Sequence, residues 1–263
     1  MRHTLIAIAV AGTLATGAAH AGANCEAKPP SADTITKAMS LALKTQNHLD
    51  AEYKRNGTKV VMLARVGQDL SKYNQHYSHL GWAYRQADGK WRVAHKLNSC
   101  GTAEGYIYRQ GLGEFFLDDL YLYEAGISVP SKDVQNALYP VLTSRQVLKM
   151  QHVPYNMLSY AWSDRYQQSN QWGVETLAYA MEPKSNNTRA QAQAWMKLKG
   201  YTPSTLELGP LTRLGGRATR ANIAFDDHPN ERRFNNQIDT ITVDSVAQWM
   251  QRNQFAQPIQ VLR

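Results

Sequence analysis

Residues 77–98, YSHLGWAYRQADGKWRVAHKLN, restrict the fold more than any other stretch of this chain. Leu80, Trp82 and Tyr84 alternate with Gly81, Ala83 and Arg85, and Trp91, Val93 and His95 alternate with Arg92, Ala94 and Lys96. Two runs of period two joined across Ala87-Asp88-Gly89-Lys90 predict a β-hairpin, because Asp and Gly both tolerate the positive φ of a tight turn. Each arm carries one histidine, His79 and His95. Histidine exchanges a proton most readily near neutral pH. If the register puts both on one face, they converge on one spot.

The first residues read as an address. Arg2, the apolar run Leu5 to Leu14 and the small-x-small triplet Ala19-His20-Ala21 have the order of an export signal. The run is too short to span a membrane. Residues 1–21 are therefore expected to be removed, leaving Gly22 as the mature terminus and no integral membrane segment. Asn24 is larger than the small residue that lipoprotein processing takes before a cysteine such as Cys25. The expected destination is an oxidising exported space, a bacterial periplasm. There Cys25 and Cys100, the two cysteines of the chain, are expected to pair. Closing about 75 residues contributes roughly 4 kcal/mol in the chain-entropy account. The rival reading keeps Cys100 as a free nucleophile.

The remainder suffices for a single domain, residues 22–263, and no repeat or sharp break divides it. A net charge of +8 suits anionic wall polymers or phospholipid head groups, or simply gives a mildly basic surface. The charges are scattered, which argues against nucleic-acid binding. Ser31 to Leu49 reads as an amphipathic helix with Ile35, Ala38, Met39, Ala42, Leu43 and Leu49 near one face, capped by Ser31 or Asp33. Lys59 to Val66 reads as a buried strand. After Cys100 three glycines interrupt an otherwise helical beginning, with Phe115-Phe116-Leu117 turned inward. Gly126 to Val129 reads as a strand closed by Pro130, and Ser131 to Gln151 as a helix kinked or divided at Pro140. Helices from Trp172 and over Arg189 to Lys199 follow. A loop-rich region comes next, then a last short strand at Asp239–Val243 and a helix from Val246 to Asn253 capped by Asp244 or Ser245. The sum is an α+β fold, an antiparallel sheet packed against helices.

Ser169 stands where the N-cap of the helix through Val174, Leu177, Ala178 and Met181 belongs. Free backbone N–H groups and the positive dipole end stabilise developing negative charge there, so a nucleophile gains most at that position. Taken alone, Ser169 is a cap. Asp118-Asp119, and Asp226-Asp227 with His228, are the two spots where a metal could be held. Neighbouring aspartates diverge, and neither set has the spacing of a well-formed zinc site. A hydrogen-bonded loop anchor is the plainer reading of the second. No cofactor is implied.

LARVGQDLSKY, YSHLGWA, WRVAHKLNSCG, QGLGEFFLDD, YQQSNQWGVETLA, FDDHP and TVDSV are together similar to a bacterial family known as domain of unknown function 2145, over roughly Cys25 to Met250. That likeness implies no activity. His79-Leu80-Gly81, the turn with Gly89 and Val93-Ala94-His95 more distantly resemble the HxG-hairpin-His pattern of NlpC-type papain-like cell-wall peptidases and amidases. Since the hairpin precedes the helix, the match is to the circularly permuted branch, some of whose members act on lipids or acyl groups. The resemblance implies a papain-like core at about 31–200 and a C-terminal extension at about 201–263. It makes His79 the general base and His95 its orienter, and SNQW puts Ser169 where the family has a cysteine. Tyr166, Gln167 or Gln168 would then donate an oxyanion hydrogen bond beside the helix N–H groups. A serine, unlike a thiol, depends on a base to remove its proton.

Three functions follow from these residues. The first is an exported Ser/His hydrolase or acyltransferase acting on an amide or ester of the cell envelope. The second is an inactive scaffold binding an envelope polymer, peptide or lipid. The third is a metalloprotein using His79, His95 and His228 with nearby aspartates.

Overall fold

The computed structural model describes residues 29–263. The export signal, Gly22 and Cys25, and with Cys25 the expected Cys25–Cys100 pairing, lie outside the described residues.

The chain opens with α1 (Ala32–Asn56), where the Ser31 side chain accepts the Thr34 N–H and Gly57 at φ 65° ends the helix. Its buried face is Ala38, Leu41, Ala42, Thr45, Leu49 and Glu52. Ile35, Met39 and Leu43, expected inside, are 42%, 39% and 60% exposed. They form a second stripe rotated by about 100° from the buried one, and the sheet covers only the first. Then come β1 (Val60–Val66), β2 (His79–Arg85) and β3 (Trp91–Asn98). The hairpin is present. Its connection is closed by Gly89 N–H on the Gln86 carbonyl and Gln86 N–H on that of Lys90. Gly89 has φ +86°, whereas Asp88 keeps negative φ.

Past Cys100 the chain is extended rather than helical, as β4 (Gly105–Gly111), and only α2 (Leu112–Phe116) coils. Tyr106, Ile107 and Tyr108 favour a strand, and pairing along all of β4 with β3 outweighs any helical tendency. The next strand, β5 (Leu122–Ser128), is longer than expected. In α3 (Lys132–Thr143) Pro140 sits inside the helix, which instead stops at Ser144 before a 3-10 turn, Arg145–Leu148. There follow α4 (Ser169–Met181), α5 (Arg189–Leu198), β6 (Ser204–Glu207), α6 (Pro210–Thr219), α7 (Asn230–Phe234), β7 (Gln237–Thr240), α8 (Val243–Arg252) and β8 (Gln260–Leu262). Thr242, not Asp244 or Ser245, caps α8. The last strand is β8, three residues whose pattern is too short to read.

The main sheet runs β4-β3-β2-β1-β5-β8 with every neighbour antiparallel, and β6-β7 form a separate pair. Helices α3, α4 and α8 cover one face, on Leu80, Trp82 and Tyr84. Helices α1 and α2 cover the other, on Val61, Leu63, Ala83 and Val93. The fold is thus α+β, and β1, central and covered on both sides, is apolar at six of its seven positions. Among the described residues no helix is long and apolar enough to cross a membrane.

Helix α4 is buried almost all round, including Glu175 at 0% exposure. Its carboxylate is held by Arg189 (2.8 and 3.2 Å), Gln193 (2.8 Å) and Gln167 (2.5 Å). A buried charge left without its partner is strongly destabilising. Arg189→Ala is therefore expected to lower stability by about 3–5 kcal/mol. Thermal unfolding should report this as a fall in melting temperature of about 2–4 °C per kcal/mol.

Candidate active site

The β2–β3 register pairs Ala83 with Val93. His79 lies four residues before Ala83 and His95 two after Val93, so alternation puts both imidazoles on that face. They meet there, His79 Nε2 to His95 Nδ1 at 2.8 Å. The intervening Gly81 is required by space, since a Cβ there would lie 2.6 Å from Val93 Cγ1 and 3.1 Å from His95 Cβ. Beyond His95 the chain of contacts continues through its Nε2 to Gln110 Oε1 (2.8 Å) and from Gln110 Nε2 to Glu114 Oε1 (3.2 Å).

This chain assigns the protons. A carboxylate only accepts, so Gln110 turns its amide N–H to Glu114 and its carbonyl to His95. His95 must then carry its proton on Nε2. Neutral His95 offers a bare Nδ1, which accepts from His79 Nε2–H, and neutral His79 is left with a bare Nδ1. Both rings are neutral because burial, then the Arg65 charge, hold His95 down to about 3. Burial, Arg65 and His95 likewise hold His79 well below its ordinary value. Arg65 is itself buried, paired with Asp118 (2.7 Å) and bonded to the Phe115 carbonyl. Asp118, one of the metal candidates, is thus the counter-ion of this arginine.

Ser169 is the first residue of α4, one position inside the helix. The cap is Gln168, whose side chain accepts the Asn170 N–H. The β2–β3 pairing stops at Trp82–Ala94, and the unpaired Leu80 N–H donates to Asn170 Oδ1 (3.0 Å). One turn further on, Trp82 Nε1 donates to the Gly173 carbonyl (2.9 Å). Helix α4 thus lies on the Leu80 face, while the imidazoles lie on the opposite one against Phe115. Ser169 and His79 come to one cavity of about 390 Å³ from the two sides of the start of β2. They are not hydrogen-bonded to each other. Ser169 Oγ is 3.2 Å from the Tyr155 hydroxyl, which the Ser169 backbone also contacts. Burial raises the Tyr155 phenol and those two bonds partly offset it.

The three oxyanion candidates are placed differently. Tyr166 reaches Asp226 (3.4 Å). Gln167 is wholly buried, its amide on the Met150 carbonyl and Glu175, its carbonyl accepting from Lys96 and His152. Gln168 lines the cavity, with its amide on Thr240 Oγ1 (3.0 Å) and the Ile241 carbonyl (2.6 Å). The other acidic pair is likewise engaged. Asp227 accepts from Tyr160 N–H and faces His228 Nδ1 (3.0 Å), and Asp226 pairs with Arg165 (2.9 Å). Among the described residues no group of three or more His, Cys, Asp or Glu is placed to hold a metal.

Sequence reasoning missed Tyr155, Gln110, Arg65 and Lys96. Lys96 is fully buried, drawn down to about 7 by burial and by Arg189, with Glu175 opposing. It donates to both carbonyl oxygens of Gln167 (2.9 Å each) and to that of His152, fixing the loop that delivers Tyr155 and Ser169. A lysine one residue from His95 gives no signal of this in a linear pattern.

A family model described as uncharacterised protein conserved in bacteria (DUF2145) matches residues 52–250. No curated protein and no solved structure matches the chain.

The neutral pair links stability to pH. Below about 6.5 the unfolded histidines bind protons that the folded ones refuse, so stability is full above that pH and falls below it. Each histidine contributes a slope of up to about 1.4 kcal/mol per pH unit. His95→Gln removes one of the two titrating groups. Urea titrations at pH 7, 6 and 5 should show a shallower acid loss for the variant, and parallel losses would contradict the neutral pair.

Proposed function

The chain belongs to the DUF2145 family of uncharacterised bacterial proteins, and from its site we propose an exported Ser/His hydrolase or acyltransferase that attacks an amide or ester carbonyl of the cell envelope. The observation that carries this reading is one cavity bordered by a helix-first-turn serine and by a histidine with its bare Nδ1 fixed by a hydrogen-bonded chain. Chain order supports it too, since the hairpin precedes α4, as the circularly permuted NlpC-type arrangement requires. The cavity wall includes Leu158, Leu206, Leu208 and Phe225, which suits an apolar substituent on the carbonyl.

In this reading the Ser169 hydroxyl leaves Tyr155 and gives its proton to His79 Nδ1 as Oγ attacks the carbonyl carbon. The imidazolium keeps its Nε2–H on His95 Nδ1, and His95 keeps its own on Gln110, so the ring cannot turn. The developing oxyanion lies at the first turn of α4, where the Tyr155 hydroxyl, neutral because burial raises it, can donate. His79 then returns the proton to the leaving amine or alcohol, and water or an acceptor releases the acyl group by the same route. In structures without substrate such hydrogen bonds are often unformed and tighten only in the reacting complex.

A second reading, a scaffold that binds an envelope ligand without turnover, is favoured by the engagement of Ser169 with Tyr155 instead of His79. Labelling with a serine-directed fluorophosphonate separates the two. The hydrolase reading expects one label per chain, lost in Ser169→Ala and slowed about 10²–10⁴-fold in His79→Ala. Because His79 stays unprotonated well below pH 6.5, the labelling rate should hold between pH 7.5 and 5.5 instead of falling with an ordinary histidine. No label, together with a thermal shift on adding muropeptides or lipids, decides for the scaffold.

A further inference from the structure

Helix α6 is unlike the other long helices, since none of its described side chains is buried. At 100° per residue, Thr212 and Gly216 share one side and line the cavity, as does Arg220 at the cap. Leu211, Leu214 and Ala218 fall on the opposite side. Leu211 is 84% exposed and Leu214 66%. The small core beneath, Leu206, Leu208, Phe225 and Ile238, takes nothing from α6. Among the described residues these leucines belong to no apolar cluster.

The neighbouring helix repeats the pattern. Arg213 ties α6 to the end of α7 through the Arg233 carbonyl (2.5 Å) and Asn236 Oδ1 (2.9 Å), and Phe234 beside it is 78% exposed. Residues 210–236 carry five arginines, at 213, 217, 220, 232 and 233, against Asp226, Asp227 and Glu231. Asp226 is paired with Arg165, and Asp227 is buried against His228. Arg232 is paired with Asp239 (2.9 Å), so exposed Arg217 and half-exposed Arg233 are the basic residues that flank the exposed leucines and phenylalanine.

We propose that this surface docks on an anionic lipid bilayer, with α6 as the wall shared by membrane and cavity. An apolar stripe flanked by basic residues is the arrangement that lies in a membrane interface, the side chains entering the acyl boundary and the arginines meeting lipid phosphates. Leu211, Leu214 and Phe234 are exposed, as side chains that enter an acyl boundary must be. A wall polymer of charged sugars would leave them without a role. The docking is independent of the Ser169 chemistry.

Co-sedimentation tests it, using the chain from Gly22 so that the apolar run of residues 1–21 takes no part. The chain should pellet with vesicles containing 30% phosphatidylglycerol and stay in solution with pure phosphatidylcholine, and 0.5 M salt should release it. Arg217→Gln with Arg233→Gln should weaken partitioning about 30-fold, about fivefold for each charge. Leu211→Ser with Leu214→Ser should weaken it about tenfold or more at unchanged charge. Ser169→Ala should bind as the parent does, so loss of catalysis and loss of docking are separable. The four exchanged residues other than Ser169 are at the surface or half-exposed, and circular dichroism verifies folding. No sedimentation with anionic vesicles, or both double variants binding like the parent, overturns the proposal. A surface that captures a protein instead gives the first of those results.

Discussion

The arrangement depends on one contact, the docking of α4 against the open end of the β2–β3 ladder. The strands part beyond Trp82, and the amide left at Leu80 is satisfied by Asn170 from the helix instead of by β3. Trp82 then fastens the next turn through the Gly173 carbonyl. A Cβ on Gly173 would lie 2.5 Å from Leu80 Cδ1, so the glycine is what lets helix and strand approach this closely. Burying a polar group is costly unless it is hydrogen-bonded, and on α4 only Trp172 Nε1 and Thr176 Oγ1 lack a partner among the described residues. Glu175 is answered by Arg189, Gln167 and Gln193, and Gln171 Oε1 by Ser159.

That parting of the strands shapes the site. Were the ladder continuous, the two faces of β2 would be sealed from each other, and a serine above the sheet could not share space with a histidine below it. Because the ladder ends early, Ser169 and His79 border a common cavity although they belong to opposite layers. The electrostatics reinforce the geometry. Burial, and then the Arg65 charge beside the two imidazoles, makes protonating either ring unfavourable, so each keeps one lone pair.

The part of the chain read as an extension does two things. Residues 204–240 form a small pair of strands with its own apolar cluster, which closes the cavity on one side. The chain then returns to the main body, where Val246, Trp249 and Met250 of α8 enter the large core and β8 completes the sheet beside β5. The cavity is therefore roofed by a segment anchored at both ends, and neither α6 nor α7 has a buried residue among those described.

Alternation in Leu80–Tyr84 and Trp91–Lys96 was enough to specify the hairpin, because side-chain direction within a strand is set by parity; that His79 and His95 share a face was decided by the register, Ala83 opposite Val93. Local chemistry likewise gave α1 its start at Ser31 and the α+β class its elements. Other features depended on contacts remote in sequence: that Gly105–Gly111 is a strand, that Tyr155 holds Ser169, that Gln110 fixes the tautomer of His95, and that Lys96 and Glu175 are buried. Each is decided by which distant partner is present to satisfy a polar group once water is gone. Such a partner leaves no period or motif in the sequence, so the tertiary structure alone chose it.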